Sequence, residues 1–590
     1  MLDAPRMQAA NRDDAVSAPS WSPAMRVRRV ATETAAQAVV PPASVPRQLR
    51  AARGGLDDVD DSSSEDEDAS AANPQPHAQK QAHAHAQAAP LRPPPATRAV
   101  LKVTILAPGS RGDVRPLTNV AARLVARGSA VVTVAAHACF RGEIEAVPGV
   151  RFAAIAGDPR KNRGAVPGAA PQSQNEGEEA RALWEEQLRD YERACAGCDV
   201  VCFNWFGMAG LHIAEALRVP AVALWLVPFS RSRTMETFMM AAPKMDSLRE
   251  RIASGAFDAR TRMPSDVAQQ PPKLGAALAG QMVWESLLWA PFAQRLNAWR
   301  ARLELPPIEG GATHFGELFR RRVPILYGFS DSVLPKPTDW PSHHLVCGYF
   351  LEEGWRGGGE GYCPPTDLER FLETGEAPVY LGFGSAVPGD PAGAARALLR
   401  ACAVLGRRVV LLEGLGRGLC VTLDELERDT SLPDACDVFI CAGVVPHGWL
   451  LPRCSAAVHH GGAGTTGACA AAGIPQVVVA VEYDQFFWGK HAQRLGVASQ
   501  LPELATAADA GKVAGAARRP ADPAALARAA EGALRKALSP AAASAARRLA
   551  TNVARDDGAG VAAEFVALYA REHLKQHRGV KLDDLGATTE

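Results

Sequence analysis

Residues 456–466, AAVHHGGAGTT, decide how the second half of this 590-residue chain is read. A short apolar strand ends in two histidines, a glycine-rich turn follows, and a helix is predicted to begin near Thr465. Backbone N–H groups at a helix N-terminus carry partial positive charge, and glycines let an anion approach the backbone closely. The stretch therefore indicates a diphosphate-binding loop, with a tight turn and a threonine cap as the simpler alternative.

The same order of strand, turn and helix repeats on both sides of this loop. Apolar runs at 379–383, 409–412, 437–441 and 476–481 are separated by helical stretches, and an earlier series begins with 100–107, VLKVTILA. Such alternation is typical of parallel α/β sheets. The sequence predicts two Rossmann-like domains facing each other across a cleft, with ligands bound beyond the carboxyl ends of the strands.

Composition sets the predicted boundaries. Residues 1–98 are rich in Ala, Pro, Ser and Gln and include the acidic run 57–68, so they are predicted to form a disordered extension. The rest divides into a first domain at 99–350, a linker at 351–377, a second domain at 378–577 and a tail at 578–590.

Charge and hydropathy exclude several classes of protein. Lys plus Arg and Asp plus Glu number 64 each, which gives no polycationic signal for nucleic acid. No apolar run reaches the roughly 18 residues of a membrane span, and Cys195 and Cys198 form a CxxC pair without a second pair at zinc spacing. These features predict a cytoplasmic protein, and the arginine-containing N-terminus leaves organelle targeting open.

Two further loops of the second half carry polar side chains just past a strand. Ser385, in GFGS at 382–385, is placed to donate to a diphosphate from the other side. Asp484 and Gln485 stand side by side, and an acid beside an amide can hydrogen-bond vicinal sugar hydroxyls. The alternative for Asp484 is a helix N-cap.

A carboxylate also follows the first strand of the first domain. The turn GSRGDVRP at 109–116 matches neither a dinucleotide-binding nor a P-loop pattern. Asp113 within it is expected to be ionised at neutral pH and could take a proton from an attacking hydroxyl. A helix-capping role explains its position equally well.

Together these motifs resemble the GT-B glycosyltransferases, most closely the sterol 3-beta-glucosyltransferase group. The resemblance runs from about residue 100 to about 569 and includes GSRGDVRP at 109, GDPRKNRG at 157, LPKPTDW at 334, GFGS at 382, VPHGWLLPRC at 445, HHGGAGTT at 459 and DQFFWG at 484. It implies inverting, metal-independent transfer of a hexose, usually glucose, from a UDP-sugar co-substrate. The acceptor would be a hydroxyl of a lipid-like molecule such as a sterol, reached with peripheral membrane contact on the acceptor side.

The resemblance also implies a role for individual residues. In the donor-binding second domain the residues are Ser385, Val445 (through its backbone, to the uracil), His460, Gly464, Thr465, Thr466, Asp484 and Gln485. Asp113 matches the general base, and Phe229 and Arg231 lie in the acceptor-side segment 227–233 of the first domain. That segment lacks the pattern usual in relatives, and Tyr483 stands where relatives have glycine, so the donor chemistry is expected to be intact while the acceptor stays open.

Other functions share parts of this pattern. A UDP-glycosyltransferase could act on a different small molecule or glycolipid, and a nucleotide-sugar epimerase would bind the same donor without an acceptor. A non-catalytic nucleotide-sugar or lipid-binding protein would not need Asp113 together with the donor residues. A metal-dependent transferase would need a DxD in a folded loop, whereas Asp58-Val59-Asp60 lies in the acidic run.

Overall fold

The structure is a computed structural model of the whole chain. It describes residues 26–31, 100–128, 130–159, 174–246, 250, 276–309, 312–355, 362–384, 386, 388, 390–413, 437–443, 445–504 and 522–578. Within these residues it contains two separate parallel sheets of seven strands each. The predicted pair of Rossmann-like domains is therefore confirmed.

The first sheet forms the core of the first domain. Its strands are β2 (Leu101–Leu106), β3 (Ala130–His137), β4 (Val150–Ile155), β5 (Val200–Phe203), β6 (Ala221–Trp225), β7 (Ile325–Tyr327) and β8 (His344–Val346). They lie in the order β4-β3-β2-β5-β6-β7-β8 and every pairing is parallel. The helices of this half are α1 (Arg111–Ala126), α2 (Arg141–Glu145), α3 (Gln174–Cys195), α4 (Ala209–Leu217), α5 (Ala276–Trp289), α6 (Ala293–Arg302) and α7 (His314–Arg320).

The second sheet forms the core of the second domain. Its strands are β1 (Arg26–Ala31), β9 (Val379–Gly382), β10 (Val409–Glu413), β11 (Asp437–Ala442), β12 (Ala456–His459), β13 (Gln476–Val478) and β14 (Ala498–Gln500). Their order is β1-β11-β10-β9-β12-β13-β14, again all parallel. The helices are α8 (Thr366–Glu373), α9 (Pro391–Val404), α10 (His447–Leu450), α11 (Ala463–Ala472), α12 (Gln485–Arg494), α13 (Pro523–Ala537) and α14 (Pro540–Val553).

The central strands are apolar on both faces because helices cover both sides of a parallel sheet. All four residues of β5, VVCF, are buried, as are all four of β12. Parallel strands also bring their carboxyl ends to one edge of the sheet. The loops after β2 and β5 are therefore neighbours in the first domain, as are those after β9 and β12 in the second.

Strand β1 is a feature that the sequence did not predict. Its six residues pair with β11 in register from Arg26 opposite Asp437 to Ala31 opposite Ala442. The pairing partner lies more than 400 residues away, so local composition carries no signal for it. The other residues of the predicted extension, and the tail from 579 onward, lie outside the described residues.

The last helix, α15 (Gly558–Arg578), crosses back to the first domain. Ala562 and Val566 are fully buried in the core that includes β2 and α1. Arg123 of α1 donates to the Asp557 carboxylate at 2.6 and 2.7 Å where the chain crosses. The predicted assignment of residues 378–577 to the second domain does not hold for this helix, because its apolar stripe fits the first core.

Apolar contacts also join the two domains. Phe329, two residues after β7, packs against Trp488 of α12 with ring centroids 5.4 Å apart. The Lys490 ammonium donates to the Ala241 carbonyl at 2.8 Å. The carboxyl edges of the two sheets consequently face each other. Within the described part of the chain, no helix is both long and apolar enough to cross a membrane.

Candidate active site

The glycine-histidine loop, residues 459–466, connects β12 to α11. Gly461 has a φ of +89°, and a Cβ there would approach the Val478 side chain to 2.6 Å. A Cβ at Gly462 would approach the His460 ring to 2.5 Å, so both positions require glycine. The helix begins at Ala463, two residues earlier than predicted, with Gly462 in the N-cap position.

His459 shapes this loop from inside. The Gly461 N–H donates to the His459 Nδ1 at 2.9 Å, so the ring proton must be on Nε2. This Nε2 lies 2.8 Å from the side-chain oxygen Oε1 of Gln476. Burial lowers the pKa of His459 to about 4, which keeps the ring neutral. Its role is therefore to hold the turn, and the neighbouring His460 is the one left to meet a ligand.

His460 lies between the two loops that the sequence assigned to a diphosphate. A Cβ at Gly384, whose φ is +56°, would sit 3.4 Å from its Cε1, so the turn after β9 meets the turn after β12. Burial, and secondarily His459, lower its pKa to about 3, and its Nδ1 has no hydrogen-bond partner among the described residues. A neutral imidazole can still donate one N–H to a phosphate oxygen. Ser385 lies outside the described residues.

The start of α11 offers its backbone to the cleft. Gly464 is exposed, and a Cβ there would meet nothing within 4 Å, while Thr465 is half-buried. Thr466 is only 2% exposed, and its hydroxyl oxygen is buried without a hydrogen-bond partner among the described residues. The unpaired N–H groups of the first helical turn are the donors that an anion would use.

The acidic loop after β13 ends in Asp484 and Gln485 at the start of α12. Asp484 occupies the N-cap position, where its side chain makes no capping hydrogen bond within the described structure; its carboxylate instead hydrogen-bonds to the Ala463 backbone at the start of α11. The Gln485 carbonyl oxygen accepts from the N–H groups of Val481 at 2.8 Å and Glu482 at 3.0 Å. Only its amide NH₂ is thus left for a sugar hydroxyl.

Asp113 lies in the first turn of α1, opposite this loop. Its Oδ2 accepts from the Ser110 N–H at 2.7 Å and from the Ser110 hydroxyl at 2.9 Å. Burial raises its pKa to about 6, against the opposing effect of these two hydrogen bonds. Ser110, and not Asp113, is the N-cap residue, so Asp113 supports the cap and also presents a carboxylate to the cleft.

The structure brings Asp113 and Asp484 together from different domains. Burial, and secondarily the negative charge of Asp113, raise the pKa of Asp484 to about 7. Two carboxylates that resist joint ionisation in a cleft mark a functional site more often than a structural one. This pair is the feature that no local reading of either loop could establish.

Val445 follows β11 and is buried, with its neighbour His447 beginning α10. The His447 Nε2 lies 3.0 Å from the Tyr380 hydroxyl. Burial, followed by the charges of Arg115 and Arg111, lowers the pKa of His447 to about 3. The two arginines of α1 therefore reach toward the second domain, while the contact of Val445 with a uracil stays a prediction.

The two predicted acceptor-side residues, Phe229 and Arg231, make their contacts inside the first domain. Phe229 is 0% exposed and packs in an aromatic cluster, including Phe315 at a centroid distance of 4.7 Å. Arg231 donates to both carboxylate oxygens of the buried Glu285, at 3.0 and 2.7 Å. Its charge is therefore neutralised inside the domain.

Asn204 is a residue that sequence reasoning missed. Its Nδ2 donates to the Pro108 carbonyl at 2.7 Å, and its Oδ1 accepts from the Gly207 N–H at 2.8 Å. It thereby ties the loop after β5 to the turn that leads to Asp113. A strand that ends in Asn, before an aromatic pair and glycine, was the available signal.

Among the described residues, no group of three or more His, Cys, Asp or Glu side chains is arranged to hold a metal ion.

Comparisons with known proteins agree with this architecture. Sequence models of two families match: the glycosyltransferase family 28 N-terminal domain at residues 103–235 and the erythromycin biosynthesis protein CIII-like C-terminal domain at 412–551. The solved glycosyltransferase of kitacinnamycin superposes with a TM-score of 0.51 at 18% identity, covering 81% of this chain and 100% of that one. Spinosyn forosaminyltransferase gives a TM-score of 0.50 at 15% identity, covering 80% and 100%. The chain therefore has the GT-B fold, the class of architecture that these glycosyltransferases share.

Within that class the sequence is similar to the sterol 3-beta-glucosyltransferases. The enzyme of Candida albicans is 32% identical over 412 residues, which cover 68% of this chain and 24% of that protein. The enzyme of Yarrowia lipolytica is 31% identical over 413 residues, which cover 68% and 25%. The chain thus spans about a quarter of the length of these relatives.

Proposed function

We propose that the chain transfers a hexose, glucose by the resemblance, from a UDP-sugar to a hydroxyl of a lipid-like acceptor such as a sterol. The reaction inverts the anomeric carbon and needs no metal ion. The observation that carries the proposal is the placement of Asp113 of the first domain against Asp484, which lies in the second domain with the glycine-histidine loop.

In this reaction Asp113 removes the proton of the acceptor hydroxyl as its oxygen attacks the anomeric carbon. The bond between the anomeric carbon and the phosphate oxygen of UDP breaks on the opposite face, so a single displacement inverts the configuration. Asp484 and the Gln485 amide hold the sugar hydroxyls, and Gln485 is itself fixed by the backbone of Val481 and Glu482.

The leaving UDP carries negative charge that the second domain is built to receive. The neutral His460 donates one N–H, and the N-terminal end of α11 adds the partial positive charge of a helix start. Together these groups can stabilise a diphosphate without a cation.

The test is a UDP-release assay with UDP-glucose and a panel of sterols, diacylglycerol and flavonoids, in the presence of EDTA. Turnover with a sterol in solution or in liposomes, unchanged by EDTA, is expected. Turnover only with flavonoids or diacylglycerol would replace the acceptor, and turnover abolished by EDTA would contradict the metal-free mechanism. UDP binding without any turnover would favour the non-catalytic alternative.

Asp113→Asn separates chemistry from binding. The amide cannot accept the proton, so transfer is expected to fall by roughly 10²- to 10⁴-fold while UDP affinity stays unchanged. Asp367→Asn, at an exposed position of α8, is the matched control and should keep wild-type activity. Near wild-type transfer by Asp113→Asn would remove the base assignment.

A further inference from the structure

Two aromatic residues follow β5 at the edge of the cleft, and we name them the aromatic shelf: Trp205 and Phe206. They form a short 3₁₀ turn with Gly207. Since β5 lies between β2 and β6, the shelf stands between the turn that carries Asp113 and the segment after β6. Its location is thus fixed by sheet order, independently of the donor loops.

Asn204 holds the shelf against the turn of the general base. Its side chain bridges the Pro108 carbonyl and the Gly207 N–H, at 2.7 and 2.8 Å. A Cβ at Gly207 would lie 3.1 Å from the Leu106 carbonyl oxygen, so the turn also packs closely on the end of β2. These contacts therefore fix the position of the aromatic shelf relative to the turn that leads to Asp113.

One residue of the aromatic shelf, Trp205, packs against an aromatic cluster, whereas the other, Phe206, is exposed. Trp205 is backed by Phe229 at a centroid distance of 5.6 Å and lies nearly parallel to Phe315 at 5.9 Å. Phe206 meets the Trp205 ring edge-on at 5.3 Å, yet 41% of Phe206 is exposed. Leaving a Phe ring in water forfeits the gain from its burial, so a ligand that covers it would recover that gain.

A segment of adaptable side chains packs against the same core as the shelf. Met235 and Met239 are partly buried hydrophobic residues of this segment. They flank Phe238, whose ring lies 6.2 Å from that of Trp205. The short helix Phe238–Ala241 is fastened to α12 of the second domain by Lys490, and unbranched thioether side chains adapt to varied apolar shapes.

We propose that the aromatic shelf receives the apolar face of the acceptor and that it selects flat, fused-ring alcohols over smaller or flexible ones. A planar hydrocarbon skeleton laid on Phe206, beside the half-buried Trp205, would cover the apolar surface that Phe206 leaves exposed. Its hydroxyl would extend toward Asp113, to which Asn204 couples the shelf. This inference rests on the proposed function and replaces Phe229 and Arg231 as acceptor-contacting residues.

Phe206→Ala tests the shelf by steady-state kinetics with UDP-glucose and ergosterol in cyclodextrin. Loss of a stacked ring is expected to raise KM for the sterol about tenfold or more, with UDP affinity by calorimetry unchanged. Phe206→Leu, which keeps apolar area but not the flat face, should give an intermediate KM. Leu217→Ala is the matched control, because Leu217 is also 38% exposed but lies at the far end of α4.

A second comparison uses cyclohexanol, which is too small to span the shelf. The ratio of kcat/KM for ergosterol to that for cyclohexanol should fall in Phe206→Ala and stay constant in Leu217→Ala. An unchanged sterol KM, or equal losses for both alcohols, would overturn the shelf. Absence of transfer by the wild-type protein to any alcohol would instead overturn the proposed function. In that case the affinity of a fluorescent sterol for the wild-type protein and for Phe206→Ala would still test the shelf, since equal affinities would overturn it.

Discussion

Replacing Ser110 with alanine should change the pH at which Asp113 becomes active. The Ser110 hydroxyl donates to the Asp113 carboxylate at 2.9 Å, and the neighbouring backbone N–H donates at 2.7 Å. A hydrogen bond to a charged group contributes roughly 1.5–3 kcal/mol, and one pKa unit corresponds to about 1.4 kcal/mol. Loss of the hydroxyl should therefore raise the pKa of Asp113 by about one to two units above its value of about 6.

The sign follows from the role of a general base, which works only when ionised. At pH 7 a carboxyl with a pKa of about 6 is about 90% ionised, and after the shift about half or less would be ionised. Plots of kcat/KM against pH from 5 to 9 should show the acid limb of Ser110→Ala displaced upward, with equal plateaus at pH 9. Since Asp113 and Asp484 interact, the acid limb gives an apparent pKa of the pair. The quantity to compare is therefore the displacement of this limb between wild type and Ser110→Ala.

Ser110→Thr is the control, because it retains a hydroxyl and should keep the wild-type limb. Loss of the cap also costs about 0.5–2 kcal/mol of stability, so unfolding temperatures must be measured alongside. Coincident acid limbs for wild type and Ser110→Ala would refute the reasoning. A loss of rate at pH 9 as large as that at pH 6 would show instead that Ser110 acts by holding the loop.

Three further outcomes follow from the site. His460→Ala should weaken UDP binding roughly ten- to hundredfold through loss of a hydrogen bond to a charged phosphate, and equal affinity by calorimetry would contradict its role. Asp484→Asn should stabilise the ligand-free fold at pH 8.5 by about 1–3 kcal/mol. Folding raises the pKa of Asp484 from 3.8 to about 7, so this gain in stability should shrink as the pH falls from about 7 to 3.8. A gain in the free energy of unfolding in denaturant that did not change with pH would contradict the raised pKa of Asp484. Tyr483 has a φ of +51°, so Tyr483→Gly should be about 1 kcal/mol more stable than Tyr483→Ala, and equal stability would deny strain there.

The loops were predictable because each carries its chemistry within a few consecutive residues. The sequence showed Gly461 and Gly462 directly. The close contact at Gly462 is with His460 of the same turn, whereas the one at Gly461 is with Val478 of β13. Tyr483 was visible as a departure from relatives, and its left-handed backbone explains why glycine is usual there. The placement of Ser385 and the uracil contact of Val445 stay predictions.

The burial of residues on the acceptor side is a property of the packed domain, and no local sequence pattern reveals it. Phe206 and Phe229 are both apolar residues just past strands of one sheet, and sequence gives no reason to prefer either. The order of β5 and β6, together with the aromatic cluster, buries Phe229 completely and leaves Phe206 41% exposed. Arg231 likewise meets Glu285, which is 54 residues away, and loses its charge to an internal ion pair.

The sequence by itself determined the two parallel α/β sheets, the glycine-histidine loop and the acidic residues at the strand ends, because hydrophobic periodicity and glycine turns act over short separations. Only the tertiary structure decided which of these residues meet. The pairing of Asp113 with Asp484, the return of α15 to the first domain and the addition of β1 to the second sheet all join distant parts of the chain. Such contacts arise from the burial of whole surfaces against each other, and no local pattern encodes them.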